Sequence, residues 1–185
     1  MIFCALLRIM YIAVYLTKMN PQPNKQSFIE LIEENKGIIY KICRSYCRNP
    51  LDIQDLSQEM VYHLWKAFQN YNPEFRFSTW MYRIALNVAI SFYRKESKTG
   101  THIPFSENLE VFEESPDVNA ESEANLQALM RFISGLKEID KSIMLLYLED
   151  KTYREISEIT GITETNVATK INRIKDKLRA YYLTS

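Results

Sequence analysis

Apolar residues recur every three to four positions through most of this chain, the period of an α-helix laid against a core. From Phe28 to Arg48 the apolar set is Phe28, Leu31, Ile32, Ile39, Ile42, Cys43 and Tyr46, and Asn49-Pro50 ends it. Asp52 is expected to cap a second helix, whose core stripe is Ile53, Leu56, Met60, Leu64 and Phe68. Tyr71-Asn72-Pro73 breaks that pattern and opens a short loop to Phe77. Ser78 or Thr79 is expected to cap a third helix running to about Lys95, with Trp80, Ile84, Val88 and Phe92 inward. The period lapses from Lys98 to about Asn119, where Gly100, Pro104 and Pro116 interrupt it. It resumes with Leu126, Leu129, Met130 and Ile133, and again with Ile139, Ile143, Leu146 and Tyr147.

The last third carries the sharpest local signal. Thr152-Tyr153-Arg154-Glu155 reads as a capping box, with Ile156 and Ile159 behind it and Gly161 supplying a permissive turn. A further helix starts near Thr163, with Val167, Ile171, Ile174 and Leu178 on one face. Its other face carries Asn166, Thr169, Lys170, Arg173 and Lys177. Two short helices meeting at a glycine in this way are the pattern of a helix-turn-helix, whose second helix enters the DNA major groove. The fold class is therefore all-α. Residues 25–97 and 123–185 form two small helical domains, 98–122 an acidic linker and 1–24 an N-terminal extension.

A formal net charge of zero hides opposed blocks. From Thr165 to Ser185 there are five basic residues (Lys170, Arg173, Lys175, Lys177, Arg179) against Asp176 alone. From Gly100 to Asn125 there are seven acids and no Lys or Arg. A basic end suits phosphate and an acidic connector avoids it. Three cysteines without a secretory framework fit a reducing cytoplasm. Cys43 and Cys47 share a helix face and read as small core hydrophobes rather than as half of a metal site. Ile2 to Leu16 is apolar except for Arg8. It is shorter than the roughly 20 residues a membrane span needs, and it makes a poor signal peptide. Met19, followed by polar Asn20-Pro21-Gln22-Pro23-Asn24, is favoured as the native start over a genuine anchor or docking segment.

Two surfaces stand out in the first domain. On the second helix Asp55, Gln58, Glu59, Tyr62 and Lys66 lie opposite the apolar stripe. This is either a solvated face or a docking face for a basic partner. On the third, Arg83, Asn87, Ile90 and Arg94 form a stripe beside Tyr82 and Tyr93 and ahead of Lys95. Interleaved rings and cations suit single-stranded nucleic acid, since bases stack on rings while phosphates meet Arg and Lys. Neither His63 nor His102 stands near a nucleophile pattern, and no glycine-rich phosphate loop follows a strand. No catalytic residues, cofactor, metal or small-molecule substrate are expected. Asp55 and Glu59 as metal ligands would lack a third partner.

Together these motifs resemble a known family. Asp52-Ile53-Gln54-Asp55-Leu56-Ser57-Gln58-Glu59, then Trp65, then Phe77 through Asn87 is similar to region 2 of bacterial sigma factors, and Thr152 to Leu178 to their region 4. A linker in place of the middle domain resembles the extracytoplasmic-function group of the sigma-70 family. The resemblance implies an initiation factor that binds core RNA polymerase, directs it to promoter DNA and helps melt it, with an anti-sigma factor as a further partner. It assigns Asp52, Asp55, Gln58, Glu59 and Tyr62 to docking on the clamp helices of the polymerase β′ subunit. It assigns Tyr71, the loop through Phe77, and Asn87 to capture of a flipped minus-ten base, with Arg83, Arg94 and Lys95 steadying the strand. Asn166, Thr169, Lys170 and Arg173 match the reader of the minus-thirty-five element, with Lys177 and Lys175 on phosphate. Ser91, Lys137, Asn166 and Ala168 depart from residues common in the family. The rival readings are a stand-alone helix-turn-helix regulator and a metal-dependent enzyme built on the acids of the second helix.

Overall fold

The computed structural model describes residues 25–47, 49–99, 128–129 and 131–184. The extension before Lys25 and the acidic linker beyond Thr99 lie outside the described residues, as do Leu126 and Met130. The chain divides into two units, Met1–His102 and Ile103–Ser185. Every regular element among the described residues is helical.

In the first unit α1 (Lys25–Tyr46), α2 (Pro50–Phe68) and α3 (Phe77–Thr99) pack against one another. Phe28, Ile32, Ile39 and Ile42 of α1 meet Leu56, Met60 and Leu64 of α2 and Met81 of α3 in a core shut off from solvent. Each such side chain contributes roughly 1.5–3 kcal/mol by leaving water. The cap of α2 is Asn49 rather than Asp52: its side-chain oxygen accepts from the Leu51 amide at 2.9 Å. Pro50 follows at the first helical position, where no amide bond is lost. Asp52 instead stands in the first turn, where its charge complements the helix dipole.

Helix α3 also starts earlier than Ser78. The Trp80 amide already donates to the Arg76 carbonyl at 3.2 Å, so Phe77 is in the first turn. Its buried face is Met81, Tyr82, Ala85, Leu86, Val88 and Ala89. Of the expected stripe only Val88 is buried, while Trp80, Ile84 and Phe92 are half-buried. The helix lies against both α1 and α2, which spreads its contacts over a broad arc. Ala85 and Ala89 lie within that arc, shut off from solvent.

In the second unit α4 (Glu138–Leu148), α5 (Tyr153–Thr160) and α6 (Glu164–Thr184) likewise pack together, with a helical stretch at 131–134 beside them. Ile143, Leu146, Ile156, Ile159, Val167 and Ile171 are buried. Ile133, Met144 and Ile174 form a cluster that Leu129, Phe132 and Leu136 cover. Helix α4 ends in a Schellman motif: the Lys151 amide donates to the Leu146 carbonyl at 3.1 Å and the Asp150 amide to the Tyr147 carbonyl at 3.2 Å. Asp150 takes the left-handed conformation this needs, at φ 55°.

The capping box of α5 is complete. Thr152 Oγ1 accepts from the Glu155 amide at 3.2 Å, and Glu155 Oε2 accepts from the Thr152 amide at 2.9 Å. Gly161 ends α5 at φ 76°, its amide donating to the Ser157 carbonyl at 2.8 Å. The Ser157 hydroxyl donates across the turn to the Ile162 carbonyl at 2.6 Å. Thr163 then caps α6, accepting from the Asn166 amide at 3.3 Å. The helix-turn-helix is thus held at both ends by hydrogen bonds of its own short sequence.

Candidate functional site

Three surfaces hold the residues singled out by the sequence. The first is the outer face of α2. Asp55, Glu59 and Tyr62 are exposed and Asp52 and Gln58 half-buried, all within three turns of one helix. Glu59 and His63 approach at 4.0 Å, and the Tyr62 ring meets the edge of His63 at 5.6 Å between centroids. Leu51, 67% exposed, lies one turn before Asp55 on the same face and was not anticipated. A helical wheel extended one turn toward the N-terminus would have shown it. The face combines carboxylates with an exposed apolar group at each end.

The second surface surrounds the turn between α2 and α3. Tyr71 stacks on Phe68, with centroids 5.8 Å apart and planes at 14°, and it also packs on Trp80 at 5.0 Å and Phe77 at 5.4 Å. Phe28 and Trp65 extend the cluster behind Phe68. The loop after Tyr71 closes on itself. The Tyr71 hydroxyl donates to the Phe75 carbonyl at 2.7 Å, and the Asn72 side chain binds the Glu74 amide at 3.0 Å and the Glu74 carboxylate at 2.9 Å. Phe77 is a buried ring of this cluster, packed on Tyr71 and on Trp80 at 5.2 Å. Phe75, 66% exposed at the tip, is the loop's outward aromatic, and only its isolation between polar neighbours signals it in sequence.

Along α3, Arg83, Asn87, Arg94 and Lys95 are exposed. They lie on the helix that carries half-buried Trp80, so a cationic stripe leads away from the aromatic cluster. Tyr82 is buried and Tyr93 packs on Tyr46 at 6.3 Å, so these two rings belong with the core and not with the stripe.

The third surface is α6. Asn166, Thr169, Arg173 and Lys177 are exposed at helical spacing. The Thr169 hydroxyl donates to the Thr165 carbonyl at 2.9 Å, which leaves its methyl and oxygen lone pairs outward. Lys170 behaves differently: its ammonium meets Asp140 of α4 at 2.6 Å. Lys175 is also engaged by α4, 2.6 Å from the Tyr147 hydroxyl and 4.3 Å above its ring. No local sequence signal points to Asp140 or Tyr147, because each meets its lysine about 30 residues away in the chain.

Cys43 and Cys47 are both buried, and neither is in a disulfide. Burial pushes the Cys43 thiol up from 9.0 to about 12, partly offset by a backbone hydrogen bond, and its sulfur lies 3.8 Å from that of Met60. Among the described residues no group of three or more His, Cys, Asp or Glu is placed to hold a metal ion.

A helix-turn-helix in one unit, with an acidic face and an aromatic-cationic face in the other, is the architecture of a DNA-binding factor. Comparison with known proteins makes this specific. The sigma-70 region 2 family matches residues 31–99 and the sigma-70 region 4 family residues 126–178. The chain is 26% identical over 166 residues to the ECF RNA polymerase sigma factor SigW of Bacillus subtilis, spanning 84% of this chain and 89% of SigW. It is 24% identical over 168 residues to the RNA polymerase sigma factor CnrH of Cupriavidus metallidurans, spanning 85% of this chain and 87% of CnrH. The solved structure of CnrH with the cytosolic domain of CnrY superposes with a TM-score of 0.64 at 18% identity, over 95% of this chain and 97% of that one. The sigma factor RpoE of Bartonella quintana, solved with the anti-sigma factor NepR, gives 0.61 at 15% identity, over 85% and 95%. The chain belongs to the sigma-70 family of RNA polymerase sigma factors, in its extracytoplasmic-function branch. It binds core RNA polymerase and directs initiation at promoters, so a stand-alone regulator is not the favoured reading.

Proposed function

We propose a division of labour in which α2 docks on polymerase, the α2–α3 turn with α3 holds the opened minus-ten strand, and α6 reads the minus-thirty-five duplex. The observation that carries this is the separation of chemistries: carboxylates with Leu51 and Tyr62 on α2, aromatics with cations around α3, and Asn, Thr, Arg and Lys along α6. Asp52, Asp55, Gln58, Glu59 and Tyr62 meet a basic, partly apolar surface of the polymerase, where charge complementarity fixes orientation. Tyr71, backed by Phe77 and Trp80, offers the ring against which an unstacked base rests, and Asn87 supplies donor and acceptor. Such capture offsets the few kcal/mol that unstacking costs. Arg83, Arg94 and Lys95 meet the strand's phosphates. Asn166, Thr169 and Arg173 read base edges, and Lys177 positions through phosphate.

The protein carries no catalytic centre in this reading; the polymerase supplies the chemistry. It works in the cytoplasm, where its DNA is, and it is held in check by an anti-sigma factor, as RpoE is found with NepR. The docking assignment is tested by reversing charge at Asp55 and Glu59 to Lys. Binding to core polymerase is expected to be lost while circular dichroism stays unchanged. Unaltered affinity would reject α2 as the docking face.

A further inference from the structure

We propose that Asp140 withholds Lys170 from the DNA backbone, and so lowers the sequence-independent, salt-sensitive affinity of α6. The inference rests on α6 being the duplex reader. Helical spacing centres Lys170 on the stripe Asn166, Lys170, Arg173 and Lys177, where an ammonium would reach phosphate. The structure turns it the other way. Its nitrogen is 2.6 Å from Asp140 Oδ1, in a pair whose side chains are only 34% and 18% exposed.

A second cation is treated alike. Lys175 gives its ammonium to the hydroxyl and ring face of Tyr147, which lies seven residues after Asp140, two turns along the same face of α4. Arg173 and Lys177 are the outward cations of the stripe, and Arg179, beyond it, is exposed beside Asp176 at 3.1 Å.

The consequence follows from what each contact reads. A lysine on phosphate adds affinity on every sequence alike: it leaves the ratio of specific to non-specific binding unchanged and enlarges the sequence-independent part of the binding free energy. A lysine held by a carboxylate must leave that partner to reach DNA. The carboxylate itself repels phosphate while it is there. Asp140 touches no base; it is a positioning residue that limits sequence-independent affinity, acting through Lys170.

The test uses holoenzyme reconstituted with the full chain and a promoter duplex whose minus-thirty-five element is scrambled, titrated between 50 and 200 mM salt as about the range where phosphate contacts dominate. Asp140→Asn is expected to tighten binding at low salt. Over that fourfold rise in salt it should lose about threefold more affinity than wild type does, the signature of one added phosphate contact. Asp140→Ser, which removes the same charge with a smaller side chain, should do the same. Adding Lys170→Gln to Asp140→Asn should restore the wild-type salt dependence. An unchanged slope in both Asp140 variants overturns the proposal, and so does a double variant as steep as Asp140→Asn alone. The combined variant Asn166→Ala/Thr169→Ala/Arg173→Ala separates the two levels: if it leaves discrimination of the native element intact, α6 is not the reader. If it abolishes discrimination while the Asp140 slopes are unchanged, only the withholding fails.

Discussion

Position in a sequence says what a side chain can do, and its neighbours decide whether it does. Cys43 shows this at the level of a single atom. With its thiol pushed up to about 12, it stays protonated at neutral pH, and thiolate is the reactive form. Native protein at pH 8 is expected to leave Cys43 unlabelled by a thiol reagent, with labelling appearing on unfolding; rapid native labelling would contradict its burial. The sign for stability follows. Below 9.0 both states keep the proton and the thiol is neutral to folding. As pH rises from there toward about 12 only the unfolded chain releases it, so stability falls across that window. At Arg173, replacement by Ala is expected to cost roughly 1–3 kcal/mol of discrimination between native and altered minus-thirty-five elements, if its guanidinium reads a base. Equal weakening on all sequences, measured by duplex competition, would make it a phosphate contact. Lys170 resembles Arg173 on a helical wheel, and only the Asp140 carboxylate on another helix separates them.

The elements whose ends are set locally were legible in the sequence, and those set by packing were not. The Thr152–Glu155 box and Gly161 are fixed within a few residues, so type and boundary both follow from them. The buried face of α3 depends on two neighbouring helices, and large apolar residues were given weight there that belongs to Ala85 and Ala89. The start of α2 went to Asn49 because Pro50 needs no amide partner, a signal available but assigned instead to the end of α1. The helix-turn-helix should respond to its caps individually. Thr152→Ala is expected to cost about 1 kcal/mol. Gly161→Ala, where the added carbon would meet no heavy atom within 4 Å, costs only the left-handed backbone. That is about 1–2 kcal/mol. Asp150→Gly, at φ 55°, should gain about 0.5 kcal/mol by relieving the same strain. Hydrogen exchange at the Ile156 and Ile159 amides reports all three, and faster exchange in the glycine variant would contradict the last.

At the scale of the molecule, neither unit suffices for the role proposed. The second, proposed as the duplex reader, has few outward cations along α6, and the first carries the acidic face and the aromatic-cationic face. The helical architecture and the order of the two units were readable from period and motif, whereas the engagement of Lys170 and Lys175 by α4 was not, because it exists only once α4 and α6 pack. Shared attachment to polymerase lets a weak reader act, since each tethered contact adds to the others at high effective concentration. The most direct measurement is run-off transcription by core polymerase with this protein, on one promoter supplied either as duplex or with its minus-ten region already unpaired. The Arg83→Ala/Asn87→Ala variant is expected to fail on the duplex and to recover on the unpaired template, where no unstacking is needed, while Arg173→Ala should stay impaired on both. Recovery of both variants, or of neither, would contradict the division of opening and reading between the two units.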